Sequence, residues 1–267
     1  MRCPRCTPLV AITTLFLLGM AIFGWSPVKA PAAKSKEAKA VVYNPPTPES
    51  APANIKDAVL LGYHILKETI KYAGKYVGNK LACTNCHFHA GRTQDGKNGG
   101  LSLVGVAAKY PKYRARRHYA TDLVERTNGC FERSMNGKPL PPDSKEMVAI
   151  VTYYSWISKG IPIYAEVPWL GLKHLKSSHK PNQAAGKKVF MHFCTNCHGS
   201  NGGGTSMAPP LWGAQSFNDG AGMSKLPNFA AFVHLNMPRD NPVLSKPQAL
   251  DVAALVTSQP RPHFKKN

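Results

Sequence analysis

Cys83-Thr84-Asn85-Cys86-His87 decides how this chain is read, and the same five residues recur as Cys194-Thr195-Asn196-Cys197-His198. Cys-x-x-Cys-His is the attachment unit for c-type haem: two thiols alkylate the vinyl groups and the adjoining imidazole takes one face of the iron. Two cysteine pairs could also bind zinc. Zinc ribbons, however, space their pairs by about 15–20 residues, whereas here more than a hundred residues intervene and each pair carries its own His. Two covalently bound haem c groups are therefore expected, each supplying much of the core of its own domain.

Around these units the chain has 267 residues, 43% of them hydrophobic, enough for two small domains and a processed leader. Arg2 and Arg5 precede an apolar stretch centred on Leu15 to Phe23, and Val28-Lys29-Ala30 forms a small-residue cleavage site. The expectation is a signal peptide over residues 1–30, with an uncleaved membrane anchor as the alternative. No Cys follows the cleavage site, which disfavours lipoprotein processing. Export to the periplasm agrees with haem attachment outside the cytoplasmic membrane. Residues 31–53, rich in Ala, Lys and Pro, read as a mobile leader.

The formal charge is +20, and loss of residues 1–30 removes three basic residues and no acidic one, leaving +17. Such a field attracts small anions or acidic proteins. Nucleic acid is not an expected partner, since an exported haem protein seldom meets any.

Val59, Tyr63, Leu66, Ile70, Ala73 and Val77 make one helical stripe running into the first haem unit. Gly91 to Gly105 reads as a loop wrapping a haem edge, followed by a basic and aromatic segment from Tyr110 to Tyr119 that suits a surface strand or turn. Asp122 with Glu125 caps a helix on which Arg126, Cys130 and Ser134 share one face, with Val124, Phe131 and Met135 on the other. Pro141-Pro142-Asp143 with Glu146 opens a further helix striped by Met147, Ile150, Val151, Tyr154 and Ile157. Beyond it, residues 165–180 read as an interdomain strap, with Trp169 packing it down. Asn182 caps a helix carrying Ala185, Val189 and Phe193 into the second haem unit. A Gly-rich loop from Gly199 to Gly222 follows, and Ser245 to Thr257 closes the chain with a helix. The fold class is all-α: two cytochrome c-like domains, 54–164 and 181–267, joined by the strap.

Each iron has a second face to fill, and the group that fills it sets the haem's role. For the second haem, Met207 lies only nine residues past His198 and Met223 sits in a Gly-rich loop. Met237, followed by Pro238 and preceding the last helix, is placed as the distal ligand of a small cytochrome c; otherwise it packs. For the first haem, Met135 lies on the core side of its helix and Cys130 is available, either as a strong thiolate donor and nucleophile or as a buried inert thiol.

Asn128-Gly129-Cys130-Phe131-Glu132-Arg133-Ser134-Met135-Asn136-Gly137-Lys138, placed after the first haem unit, resembles the signature of the di-haem thiosulfate dehydrogenase family, relatives of the SoxA cytochromes. Ser144-Lys145-Glu146-Met147, Trp156-Ile157-Ser158-Lys159-Gly160 and Arg261-Pro262-His263-Phe264 add to the likeness. The resemblance implies that the first haem, held by His87 and Cys130, is the active site and that the second is an electron relay. Two thiosulfates would be joined into tetrathionate with release of two electrons, or the reverse, and a soluble or membrane-bound cytochrome would exchange those electrons. It also implies that Arg116, Arg126 and Ser134 line the substrate site with Cys130. One departure is Asn236, where some members carry Lys before the distal Met, so a Lys/Met ligand exchange is not expected. Electrostatics ask for such arginines: two dianions about 6 Å apart repel by roughly 11 kcal/mol at an effective dielectric near 20, and a guanidinium fork can hold two sulfonate oxygens at once. The rival readings are a non-catalytic electron carrier and a SoxA-like subunit acting on a sulfur-carrier protein.

Overall fold

Two helix crossings, one in each half of the chain, set the architecture of the computed structural model, which describes residues 43–94, 96–115 and 117–265. In the first half α1 (Ala53–Lys67) packs on α4 (Lys145–Ile157), with α2 (Thr69–Ala73) and α3 (Leu123–Arg133) beside them. In the second half α8 (Lys246–Ser258) packs on both α5 (Gln183–Phe193) and α7 (Leu226–Asn236), and α6 (Thr195–His198) carries the second haem unit. The sole sheet among the described residues is a small hairpin of β1 (Lys112–Arg114) with β2 (Tyr119–Thr121), antiparallel, Tyr113 opposite Ala120. It falls in the basic and aromatic segment. The all-α reading otherwise holds.

Each main crossing is closed by a glycine. A Cβ on Gly62 would lie 2.2 Å from the Ala149 carbonyl oxygen across α1 and α4, and one on Gly186 would lie 2.1 Å from the Asp251 carbonyl oxygen across α5 and α8. Backbone cannot swing aside as a side chain can, so the helices meet at these points only because no Cβ is there.

The long stripe expected to run from Val59 to Val77 is broken. Glu68 leaves helical geometry (φ −130°, ψ 57°), ending α1 and starting α2 on a new bearing. Val59, Ile65 and Leu66 are buried, but Ile70 is 54% exposed, because the break turns its position outward. The start of α4 also shifts: Ser144, not Asp143, caps it by accepting from the Met147 amide. Asp122, Asn182 and Ser245 cap α3, α5 and α8 with their own side chains. Phe131 on α3 and Met135 just past its end are buried as expected, while Val124 is only partly so. On α5 the buried face is Gly186, Val189 and Phe190, rotated from the expected Ala185 and Phe193. Helix α7 was not expected at all. Phe229, Ala230, Ala231, Phe232 and Val233 are all buried, and a helix enclosed on every side shows no amphipathic stripe to read.

From Tyr43 the segment read as a mobile leader is docked on the first half. The Thr47 carbonyl accepts from Trp156 Nε1 at 2.8 Å, the Pro45 carbonyl from Arg92 Nη2 at 3.1 Å, and Ala51 is buried. The proposed signal peptide lies outside the described residues. The strap is tied at both ends: Trp169 Nε1 donates to the Val104 carbonyl at 2.9 Å, and His179 Nε2 meets Asp251 Oδ1 at 2.7 Å. No helix among the described residues is long and apolar enough to cross a membrane.

Gly62→Ala and Gly186→Ala should each destabilise the haem-loaded protein by about 1–3 kcal/mol through overpacking, read as a lower melting temperature. Gly74→Ala, where a Cβ meets nothing nearer than 3.9 Å, should not.

Candidate functional site

The first haem unit is folded by its own short-range bonds. Cys83 to Asn85 form one turn of 3-10 helix, the Ala82 amide donates to Asn85 Oδ1 at 2.7 Å, and the Cys83 amide donates to Thr69 Oγ1 at 3.0 Å. This turn sets the two thiols and presents His87 beyond them. The His87 Nδ1–H donates to the Leu101 carbonyl at 2.7 Å, which leaves Nε2 with its lone pair. Burial pulls His87 down to about 4, the Arg126 charge acting in the same direction against the Leu101 carbonyl. At neutral pH the imidazole is thus uncharged, as a metal ligand must be.

The second unit repeats the device. His198 Nδ1–H donates to the Pro209 carbonyl at 2.8 Å, and burial again lowers its proton affinity against that carbonyl. Burial also pushes the Cys83 thiol up to about 11 and the Cys86 and Cys194 thiols up to about 12. Among the described residues no three His, Cys, Asp or Glu converge to form a metal cluster, so the four cysteines do not assemble the zinc site considered above.

Beside His198, Cys194 and Cys197 opens a cavity of about 340 Å³ whose walls include Phe190, Leu211, Phe229 and Val252. Paired thiols, a neutral imidazole with one nitrogen free and an apolar slot together fit a covalently bound haem. Leu81, Cys86 and Phe88 line the same cavity, so the attachment unit of the first site is part of the wall of the second. Met207, Met223 and Met237 all reach it. Met207 is 69% exposed, whereas Met223 and Met237 pack against the core. Met237 follows α7 directly, its amide held by the Val233 carbonyl at 2.9 Å.

Around the first site α3 brings Arg126 and Cys130 together, as their spacing predicts. Arg126 Nη1 donates to Cys130 Sγ at 2.8 Å, a charge-assisted contact. Coulombic attraction to Cys130 is the first cause holding the Arg126 guanidinium above its ordinary value, burial opposing. The same sulfur bears electrostatically on Cys83 and Cys86, and Arg126 on His87, so all five groups share one neighbourhood. Ser134 ends α3 one turn beyond Cys130; its amide donates to the Cys130 carbonyl at 2.9 Å, and its own carbonyl accepts from Asn79 Nδ2 at 3.0 Å. Arg116 lies outside the described residues.

Two tyrosines at this site were missed. Tyr154 is buried, and its hydroxyl is held well above the ordinary value, first by burial and then by Cys83 and Cys130. Tyr110 acts electrostatically on Arg126 and accepts from Arg114 Nη1 at 3.2 Å. Tyr154 sits on the apolar stripe of α4 and reads as core; only its tertiary neighbours reveal it.

A SoxA/TsdA cytochrome c domain model matches residues 72–163, and a cytochrome c model matches residues 183–258. A protein named thiosulfate dehydrogenase from Thiomonas intermedia is 38% identical, over 93% of this chain and 84% of its own. One of the same name from Allochromatium vinosum is 37% identical, over 78% of this chain and 80% of its own. Among solved structures, the thiosulfate dehydrogenase TsdBA from Marichromatium purpuratum superposes with a TM-score of 0.77 at 29% identity, over 82% of this chain. The present chain spans 50% of that structure's length. Two cytochrome c domains, each with an intact attachment unit, give the chain two covalently bound haem c groups.

Proposed function

Since the chain belongs to the SoxA/TsdA-type thiosulfate dehydrogenase family, we propose that it is an exported di-haem oxidoreductase that joins two thiosulfates into tetrathionate at the first haem. The observation that carries the reading is the contact of 2.8 Å between Arg126 Nη1 and Cys130 Sγ beside His87. A plain electron carrier has no use for a cysteine held by a guanidinium next to its haem.

The two haems, once attached, would supply one-electron acceptance for sulfur oxidation at the first site and onward relay at the second. Cys130 and His87 would hold the iron of the first haem, and His198 and Met237 that of the second. The remaining chemistry belongs to this chain's side chains. Cys130 thiolate and one thiosulfate form a sulfur–sulfur bond with loss of two electrons, leaving Cys130 as an S-linked thiosulfonate. The outer sulfur of a second thiosulfate then attacks the sulfane sulfur, the tetrathionate bond forms, and Cys130 departs as thiolate. Charge and atoms balance in both steps, and the two electrons leave in the first. Arg126 steadies the thiolate whenever it is free. With Arg116 and Ser134 it offsets the repulsion between two dianions, roughly 11 kcal/mol at close approach.

Electrons leave through the second site, where Cys197 and Met207 are exposed. An acidic cytochrome is the partner suited to a chain of formal charge +20. Exposure disfavours Met207, and of the two packed methionines Met237 is favoured as ligand by its place directly after α7 and before the last helix.

The decisive assay supplies thiosulfate with an oxidised acceptor dye and, separately, tetrathionate with a reduced one; absence of both activities leaves the carrier reading. Cys130→Ala should retain two haems per chain yet lose activity by roughly 1,000-fold or more, and near-normal turnover would refute the role of Cys130. Arg126→Lys keeps the charge but loses the fork, so a drop of about 10–100-fold in kcat/KM is expected. Met237→Ala should abolish the weak methionine-to-iron charge-transfer band and lower the potential of the second haem; an unchanged band would move the ligand to Met223 or Met207.

A further inference from the structure

Asn236, the last residue of α7, is 1% exposed and immediately precedes Met237. Both ends of its amide are engaged. Oδ1 accepts from the Gly100 amide at 2.8 Å, and Nδ2 donates to the Phe232 carbonyl one turn back at 2.8 Å. An amide hydrogen can meet only the oxygen and a carbonyl only the nitrogen, so the two partners fix which way the side chain lies.

Gly100 belongs to the loop of the other site. Its neighbour Leu101 accepts from His87 Nδ1 at 2.7 Å through its carbonyl and donates to the Cys86 carbonyl at 2.8 Å through its amide. Two further bonds bracket the link: the Asn98 amide donates to the Leu235 carbonyl at 2.8 Å, and the Asp240 amide donates to Asn98 Oδ1 at 3.0 Å. Phe88, next to His87, stands edge-to-face with Phe232 at 6.0 Å, and the Arg239 guanidinium lies over the Phe88 ring at 4.5 Å. The loop that orients the imidazole of the first site is therefore bonded on both sides of Met237, at residues 235, 236 and 240.

We propose that Asn236 is a positioning residue that couples the two haems, transmitting a displacement of the Met237 segment to the carbonyl that orients and polarises His87. The proposal rests on the ligand assignment made above for Met237 and His87. The Nδ1 bond sets how strongly an imidazole donates through its other nitrogen, so a shift of Leu101 alters the potential of the first haem. The shift reaches Leu101 through two peptide units and one hydrogen bond, and the same path runs in reverse. Such reciprocity is what a coupling free energy between two sites requires, and here a contiguous bonded chain carries it.

A double-substitution cycle on the holoprotein tests this. Both midpoint potentials are measured in the wild type, Met237→Ala, Asn236→Leu and the double variant. The second haem is followed by its methionine-to-iron band and the first by its low-spin electron paramagnetic resonance signal. Asn236→Leu keeps the number and branching of side-chain heavy atoms and removes both bonds. The expected result is that Met237→Ala displaces both potentials in the wild-type background, and that the displacement at the first haem is lost in the Asn236→Leu background. A first haem indifferent to Met237→Ala, or a displacement of equal size in both backgrounds, overturns the coupling. If Met237→Ala leaves the second haem itself unchanged, the ligand assignment has failed and the coupling with it, a result visible in the charge-transfer band alone. Should Asn236→Leu not hold both haems, Asn236→Ser, too short to reach the Gly100 amide, takes its place in the cycle.

Discussion

A buried imidazole binds iron usefully only if its other nitrogen is satisfied, and both halves of this chain are built around that requirement. His87 uses the Leu101 carbonyl and His198 the Pro209 carbonyl. Each acceptor lies 11 to 14 residues downstream, so a loop must turn back onto its own haem unit. Gly100 shows the cost of doing so: φ is +62°, and a Cβ there would meet the Phe88 ring at 2.8 Å and the Cys86 carbonyl oxygen at 2.9 Å. A free buried N–H would cost about 1–3 kcal/mol, which is why the loop geometry cannot relax without loss of the ligand's orientation.

The two halves share one apolar core, and buried asparagines bond across it as well. Asn79 Nδ2 donates to the Ser134 and Ser216 carbonyls, Asn218 Nδ2 to Glu132 and Asn136, and Asn236 ties α7 to the first haem's loop. All three are buried. Apolar surfaces slide with little penalty, but a buried amide that loses register leaves unpaired groups at low dielectric. A fixed register suits a protein in which Cys86 of one site walls the cavity of the other. In the proposed relay, electron passage between the centres depends on that spacing, which these bonds fix.

Much of this was legible in the chain because it depends on neighbours in sequence. The haem units, the cap residues Asp122 and Asn182, and the Arg126–Cys130 pair are all matters of spacing along one turn or one helix. What was misread depends on neighbours in space. The stripe through Ile70 is periodic in sequence, yet the chain breaks at Glu68 and the position ends up exposed. Helix α7 is enclosed on all sides and carries no stripe. The docked segment from Tyr43 to Ala51 has no periodic signal either, because its backbone carbonyls, not its side chains, accept from Trp156 and Arg92.

The sequence by itself determined two c-type haems, an essentially helical fold and the helix face on which a guanidinium meets a sulfur. Each follows from covalent chemistry or from the 3.6-residue turn, which act over a few residues. Only the tertiary structure decided that Tyr154 and Tyr110 join that site, that Cys86 faces the cavity of the second haem, and that Asn236 bonds to a loop 136 residues away. Those relations arise where α4, α7 and the glycine loops are brought together by the burial of apolar surface. Burial is non-directional; the partners it delivers are fixed by packing geometry and by the need to pair every buried polar group, neither of which is written in local spacing.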